Sequence, residues 1–180
     1  LQFSSRDEYR YHEALVHPGL ATLPGARRVL ILGGGDGASA AELLKYPAMQ
    51  RVVIAELDPA VVQLTREFLP GLHGGALELK KVAGPSQDFL GPHGGRLGLE
   101  DPSRGLINSQ VQIQYGDAAA YVRDWQPEEG CFDLIVFDLT DPDTAAAPLF
   151  SAEFFRACKR LLGAQGAISL HLGSPLWQRE

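Results

Sequence analysis

Acidic residues stand at the ends of four short apolar runs of this chain, where they could act together on one cation. They are Asp36, Glu56, Asp117 and Asp138, with Asp141 three residues beyond the last. Carboxylates that share one edge of a sheet repel each other unless a cation or hydrogen-bond donors meet them. Helix capping explains any single one of them, but it does not readily explain five. The pattern therefore favours a cationic ligand.

A glycine-rich turn carries the first of these acids. The apolar run Val29–Leu32 ends in Gly33-Gly34-Gly35-Asp36-Gly37, and an alanine-rich stretch follows. A strand, a glycine turn and a helix start form the place where open α/β sheets bind nucleotide-like ligands. Backbone N–H groups of such a turn suit phosphate, which the Asp36 carboxylate would repel. We therefore expect a nucleoside-like ligand that carries positive charge, such as a sulfonium cofactor, rather than a dinucleotide.

Two further acids are placed to hold a nucleoside. Glu56 lies 19 residues after Gly37, the spacing at which an acidic side chain reaches ribose hydroxyls. Asp117 can accept a hydrogen bond from an exocyclic amine, while the N–H of the next residue, Ala118, reaches a ring nitrogen. The alternative for Asp117 is that it only caps the following helix.

The pair Asp138 and Asp141 suggests proton transfer from an amine. Two acids three residues apart on a strand-end loop can point into one pocket, where one takes a proton and the other holds a second positive group. An amine nucleophile needs this help because its ammonium form has no lone pair. The alternative is an Asx turn before Pro142.

Alternating strand and helix patterns predict the elements that position these acids: a doubly wound α/β domain with a mainly parallel sheet. The predicted strands are 29–32, 51–56, 111–115, 132–137 and 167–172. The predicted helices are 6–16, ending near His17-Pro18, then 38–45, 60–68 with Pro59 in its first turn, 118–125, and 150–162 closed by Gly163.

The chain divides into an entry segment, residues 1–24, and a Rossmann-like domain, residues 25–180. Within the domain, residues 71–109 are rich in glycine and proline and predict a long insertion, either a solvated excursion or a lid. The first segment reads as the end of a hairpin followed by a helix. A start at Leu1 in place of Met suggests a trimmed fragment.

Composition narrows the classes of partner. The 180 residues carry a formal net charge of −6 without a Lys/Arg block, which disfavours nucleic acid. We find no apolar stretch of the roughly 20 residues that a membrane span requires. These features predict a cytoplasmic protein whose partners are small molecules.

Several motifs together resemble the spermidine synthase (polyamine aminopropyltransferase) family. In chain order they are Leu1-Gln2, residues 6–13 (RDEYRYHE), residues 30–37 (LILGGGDG), Glu56-Leu57-Asp58, Gly116-Asp117-Ala118, Asp138-Leu139-Thr140-Asp141-Pro142 and Leu149-Phe150. The glycine motif alone is moderately specific, but its combination with the flanking motifs is strongly specific. The resemblance covers nearly the whole chain apart from residues 76–109.

The resemblance implies a methyltransferase-like Rossmann fold and transfer of an aminopropyl group from decarboxylated S-adenosylmethionine to an amine, with methylthioadenosine as product. It implies no metal and, for the full-length protein, a homodimer. Donor binding would fall to Gln2, Gly33, Gly35, Asp36, Glu56, Asp117 and Ala118. The amine would meet Tyr11, His12, Asp36, Asp138 and Asp141, with Asp138 as the proton acceptor.

The chain departs from the family pattern in two places. Residues 143–148 (DTAAAP) replace a stretch that usually bears glycine and proline, so proline-type contacts at Ala145 are lost. Residues 170–173 (LHLG) replace a segment that usually carries glutamine. The alternatives that we keep are an S-adenosylmethionine-dependent methyltransferase, a non-catalytic family member and, more remotely, a dinucleotide oxidoreductase.

Overall fold

A computed structural model of the chain describes residue 4 and residues 7–78, 110–126, 131–140 and 144–172. Its centre is a five-stranded, fully parallel sheet in the order β3-β2-β1-β4-β5. The strands are β1 Arg28–Gly33, β2 Arg51–Glu56, β3 Val111–Tyr115, β4 Phe132–Asp138 and β5 Leu162–Leu170. The helices are α1 Glu8–Ala21, α2 Ala38–Leu44, α3 Pro59–Phe68, α4 Ala118–Asp124 and α5 Ala152–Leu161. The predicted doubly wound α/β fold is confirmed.

Helices cover both faces of the sheet, which explains the continuous apolar strands. Val29 and Ile31 of β1 enter a core with residues of α1, α2 and α3, whereas Leu30 and Leu32 enter a second core with residues of α4 and α5. All four side chains are fully buried. Successive side chains of a strand point to opposite faces, so a strand covered on both sides needs an unbroken apolar run.

The predicted end of the first helix near His17-Pro18 is wrong, because α1 continues through Pro18 to Ala21. Pro18 has no N–H to donate within the helix. Packing holds the last turn instead: Leu20 is buried in the core, and Gly19 lies so close to β4 that an added Cβ would be 3.0 Å from Leu134 Cδ1. Tertiary contacts of this kind commonly outweigh a local break in the hydrogen-bond ladder.

The region after β4 also differs from its prediction. The helix predicted over 150–162 is present as α5, which begins two residues later, and an unpredicted short 3-10 helix, Ala147–Phe150, precedes it. The N-cap of α5, Ser151, accepts a hydrogen bond from the N–H of Phe154. Gly163 does not close the helix, since β5 begins directly at Leu162. The strand therefore begins five residues earlier than predicted, and its pairing with β4 shifts register between Phe132 and Leu134.

The other predicted elements agree with the structure to within one or two residues. Of the predicted insertion, residues 71–77 form turns, and residues 79–109 lie outside the described part of the chain. The entry helix, α1, packs against α2, β4 and β5, while the predicted hairpin end at residues 1–3 is not described. Among the described residues, we find no helix with both the length and the hydropathy of a membrane span.

Candidate active site

A cavity of about 490 Å³ opens at the carboxyl edge of the sheet, where β1, β2 and β4 end. Parallel strands bring their carboxyl ends to one edge, and ligands of open α/β sheets bind there. Four of the predicted acids line this cavity: Asp36, Glu56, Asp117 and Asp138. These four acids thus surround one cavity, and the roles assigned to them from sequence stay predictions.

The glycine turn after β1 joins two strand ends. Gly33, Gly34 and Gly37 have φ values of 77°, 68° and 76°, a backbone region that residues with a side chain rarely adopt. The N–H of Gly34 donates a 3.0 Å hydrogen bond to the carbonyl oxygen of Asp138. A Cβ on Gly33 would lie 2.2 Å from that same oxygen, so only glycine allows the turn to approach β4 this closely.

Glu56 is fixed against the same turn by two backbone donors. Its Oε2 accepts a 2.9 Å hydrogen bond from the N–H of Gly35, and its Oε1 accepts one of 2.9 Å from the N–H of Asp58. The residue is only 8% exposed. Each carboxylate oxygen has a second lone pair, so the group can still accept hydrogen bonds from a ligand in the cavity.

Asp36 faces the cavity from the glycine turn and lies beside a buried histidine. Its Oδ1 accepts a 3.0 Å hydrogen bond from the N–H of Ala38, and its Oδ2 is 3.8 Å from Nε2 of His12. On the other side of its ring, His12 Nδ1 is 3.1 Å from Oε2 of Glu8. His12 is 1% exposed and belongs to α1, so the entry helix brings a buried histidine close to Asp36.

Asp138 is the most perturbed carboxyl group of the site. Burial, and next the nearby charge of Asp36, raise its pKa from 3.8 to about 6. Hydrogen bonds from the Ser39 and Tyr11 hydroxyls, together with the charge of His12, act in the opposite direction. The Ser39 hydroxyl donates to Oδ2 over 2.7 Å. Asp138 is thus an acid whose proton affinity is set close to neutral pH, as a proton acceptor requires.

His12, Asp36 and Asp138 form a cluster that can hold a cation. They offer ligand atoms that all lie within 4.8 Å of one another. A metal ion is one possible occupant, and an ammonium group is another, because either would relieve the repulsion between the two carboxylates. Tyr11 borders the cluster, with its ring centroid 5.0 Å from that of His12 and 5.8 Å from that of His171.

Asp117 follows β3 and caps the next helix, which is the alternative role that the sequence offers for it. Its Oδ1 accepts a 2.9 Å hydrogen bond from the N–H of Ala119 and so caps α4. Both Asp117 and Ala118 also line the cavity, so capping places the residue at the site without excluding a contact with ligand.

Two predicted residues are not described by the structure, and some residues that line the cavity were not predicted. Gln2 and Asp141 lie outside the described residues. Sequence reasoning missed Ser39, because a serine in a first helical turn is expected to cap its own helix rather than reach another strand. It also missed the apolar walls, which are Leu57, Val61, Pro148 and Leu149, and it underrated Ala145, which lines the cavity although proline is absent there.

Comparison with known proteins identifies relatives with similar sequences. A family model described as "Spermine/spermidine synthase domain" matches residues 8–180. A polyamine aminopropyltransferase of Nitrosomonas europaea is 37% identical over 175 residues, which cover 97% of this chain and 44% of that protein. One from Mycobacterium tuberculosis is 37% identical over 176 residues, which cover 97% of this chain and 28% of that protein. The chain thus spans less than half the length of these two relatives.

Solved structures agree with the sequence relatives. A spermidine synthase in complex with the transition-state analogue AdoDATO has a TM-score of 0.73 at 28% identity, covering 98% of this chain and 49% of its own. The spermidine synthase of Thermotoga maritima has a TM-score of 0.71 at 28% identity, covering 98% and 48%. The resemblance found in the sequence motifs and the predicted Rossmann-like fold are both confirmed. On these matches, the chain belongs to the spermine/spermidine synthase family.

Proposed function

We propose that the protein carrying this chain transfers an aminopropyl group from decarboxylated S-adenosylmethionine to an amine and releases methylthioadenosine. The observation that carries the proposal is the acidic cluster at the cavity: Asp36 and Asp138 lie beside His12, and the pKa of Asp138 is raised to about 6. Family membership and the names of the relatives support the same reaction. We further propose putrescine as the acceptor and spermidine as the product.

The nucleoside of the donor binds across the ends of β1, β2 and β3. Glu56 accepts hydrogen bonds from the ribose hydroxyls with the lone pairs that Gly35 and Asp58 leave available. Asp117 and the N–H of Ala118 meet the adenine edge, while Gly33 and Gly35 allow the donor to approach the backbone. The resemblance adds Gln2 to this set.

Charge selects the donor. Decarboxylated S-adenosylmethionine presents a sulfonium and an ammonium group, and both are attracted by Asp36. S-adenosylmethionine itself adds an α-carboxylate, which Asp36 would repel across a partly buried cavity. The position of Asp36, on the glycine turn and 3.8 Å from His12, therefore favours aminopropyl transfer over methyl transfer.

The chemistry is an in-line substitution by an amine. The acceptor nitrogen gives its proton to Asp138, and its lone pair forms a new C–N bond at the propyl carbon beside the sulfonium. The C–S bond breaks, and its electrons remain on sulfur as the neutral thioether of methylthioadenosine. The protein supplies alignment and an anionic wall for two cationic substrates. Tyr11, His12 and Asp141 hold the amine, and neither a metal nor a covalent intermediate is required.

A product assay tests this proposal on the full-length protein, which we propose to be a cytoplasmic homodimer. Decarboxylated S-adenosylmethionine is incubated with putrescine, cadaverine, spermidine or no amine, and methylthioadenosine and the aminopropylated amine are measured by mass spectrometry. We expect equal amounts of the two products, with putrescine preferred, and no loss of rate with a metal chelator. A chelator that abolishes turnover would contradict the metal-free mechanism, and the cluster of His12, Asp36 and Asp138 would then be the first candidate for the metal site.

Calorimetry with the two forms of the cofactor separates the rival functions. We expect decarboxylated S-adenosylmethionine to bind more tightly than S-adenosylmethionine, and Asp36→Asn to narrow the difference. Tighter binding of the carboxylated form, with methyl transfer in the assay, would establish a methyltransferase. Donor binding without methylthioadenosine from any amine would establish a non-catalytic member of the family.

A further inference from the structure

Ser39 reaches from the first turn of α2 to the carboxyl end of β4. Its side chain is fully buried, and its hydroxyl donates a 2.7 Å hydrogen bond to Oδ2 of Asp138. The two residues are 99 positions apart in the chain, so this contact exists only in the folded sheet. In most first turns, a serine hydroxyl would instead bond to the backbone of its own helix.

The surroundings of Asp138 give this hydrogen bond a particular consequence. The charged groups that face Asp138 are Asp36 on the glycine turn and His12 on α1, and Tyr11 of α1 adds a second hydroxyl. The carbonyl of Asp138 is already held by the N–H of Gly34. Its carboxylate can still rotate about the terminal side-chain bond, and the hydrogen bond from α2 restricts that rotation.

From this geometry we propose that Ser39 is a positioning residue that orients the Asp138 carboxylate and stabilises its ionised, proton-accepting form. The proposal rests on the role of Asp138 in the proposed function. A donor hydrogen bond favours the charged form of a carboxyl group, whereas burial and the neighbouring Asp36 favour the neutral form. Ser39 therefore counteracts the two influences that would otherwise leave Asp138 protonated and unable to accept the proton of the amine.

The first test measures turnover against pH in the full-length protein for Ser39→Ala and Ser39→Thr. We expect Ser39→Ala to move the acidic limb of the kcat profile upward by about one pH unit, which lowers kcat about tenfold on that limb. The KM for donor and for amine should change less than about twofold, since Ser39 contacts neither. Ser39→Thr, which keeps the hydroxyl, should restore the profile. An unchanged limb in Ser39→Ala would overturn the proposal.

A matched control separates positioning from loss of packing. Ser169→Ala on β5 also removes a hydroxyl donor, which is partly buried and donates to the carbonyl of Leu15 on α1. We expect Ser169→Ala to lower the melting temperature without moving the acidic limb. An equal shift in Ser169→Ala would mean that general loosening, rather than loss of the contact to Asp138, changes the titration, and would overturn the proposal.

A second measurement does not depend on catalysis. The carboxyl carbon of Asp138 is titrated by NMR in the ligand-free protein, in the wild type and in the Ser39 variants. We expect the midpoint to rise in Ser39→Ala and to rise less in Ser39→Cys, whose thiol is a weaker donor of similar size. If the protein forms no methylthioadenosine, the proposed function fails, while this titration still decides the role of Ser39. An unchanged midpoint in Ser39→Ala would refute the proposed role of Ser39.

Discussion

The carboxylate of Glu56 accepts a 2.9 Å hydrogen bond from the N–H of Gly35, which joins the end of β2 to the glycine turn after β1. A Cβ on Gly35 would lie 2.6 Å from Oε2 of Glu56, so the contact depends on the absence of a side chain. The turn and the acid proposed to bind ribose therefore form one unit. Disturbing either residue is expected to disturb the nucleoside site as a whole.

Replacement of Glu56 by alanine should weaken methylthioadenosine binding by about 10- to 100-fold. The change removes the proposed ribose acceptor. It also removes the carboxylate that accepts hydrogen bonds from the N–H groups of Gly35 and Asp58. Calorimetry measures the affinity. The matched control is Asp133→Ala, because Asp133 also accepts two backbone N–H groups, from Arg27 and Arg28, but at the opposite edge of the sheet. Equal affinities in the two variants would contradict the ribose role.

Gly35→Ala tests the close approach by steric means alone. Gly35 does not have a positive φ, so alanine is compatible with its backbone, and the cost comes from the clash with Glu56. We expect a loss of about 1–3 kcal/mol in unfolding free energy together with weaker methylthioadenosine binding. Gly71→Ala is the control, since an added Cβ there would meet no atom within 4 Å. Urea denaturation and calorimetry give the two quantities, and a fully stable Gly35→Ala would show that the turn can shift.

Asp138→Asn should affect turnover far more than donor binding. We expect kcat to fall by at least about 100-fold, as for loss of a general base, and the dissociation constant of methylthioadenosine to change only slightly. Asp124→Asn is the control, because Asp124 pairs with Arg123 at the end of α4. Turnover that survives in Asp138→Asn would remove Asp138 from the proposed mechanism.

The same substitution should change stability in a pH-dependent way. The folded-state pKa of Asp138 is about 6, above its ordinary 3.8, so the folded protein binds this proton more tightly than the unfolded chain does. This carboxyl group therefore contributes less stability as the pH rises from about 4 to 6. We expect Asp138→Asn to be more stable than the wild type by about 1–3 kcal/mol at pH 8, and by much less near pH 4.5. Urea denaturation at pH 8 and at pH 4.5 measures the unfolding free energies of both proteins. A difference between them that does not depend on pH would contradict the raised pKa of Asp138.

The local patterns predicted the strands and the positions of the acids well. Val29–Leu32 and Leu134–Phe137 are unbroken apolar runs, and a parallel sheet then places whatever follows them at one edge. This is why Asp36 and Asp138 could be assigned to one pocket without a structure. Sequence also provided the motifs that identify the family.

Contacts between distant segments account for what sequence could not supply. The continuation of α1 past Pro18 depends on the approach of Gly19 to Leu134, which is 115 residues away in the chain. The hydrogen bond of Ser39 to Asp138 likewise requires α2 and β4 to be neighbours. A local propensity contains no information about such partners. The capping of α4 by Asp117 is the converse case, since the local sequence offers this role and the structure shows it.

Asp138 is held by its main chain through Gly34 and by its side chain through Ser39, and both come from the segment that also carries Asp36. Two hydrogen bonds therefore join the proposed base to the segment proposed to bind the donor. Most of the entropy of aligning them is then lost when the protein folds, rather than at each encounter with substrates. In the proposed reaction, which has two small and flexible substrates, the remaining ordering at binding belongs mainly to the amine.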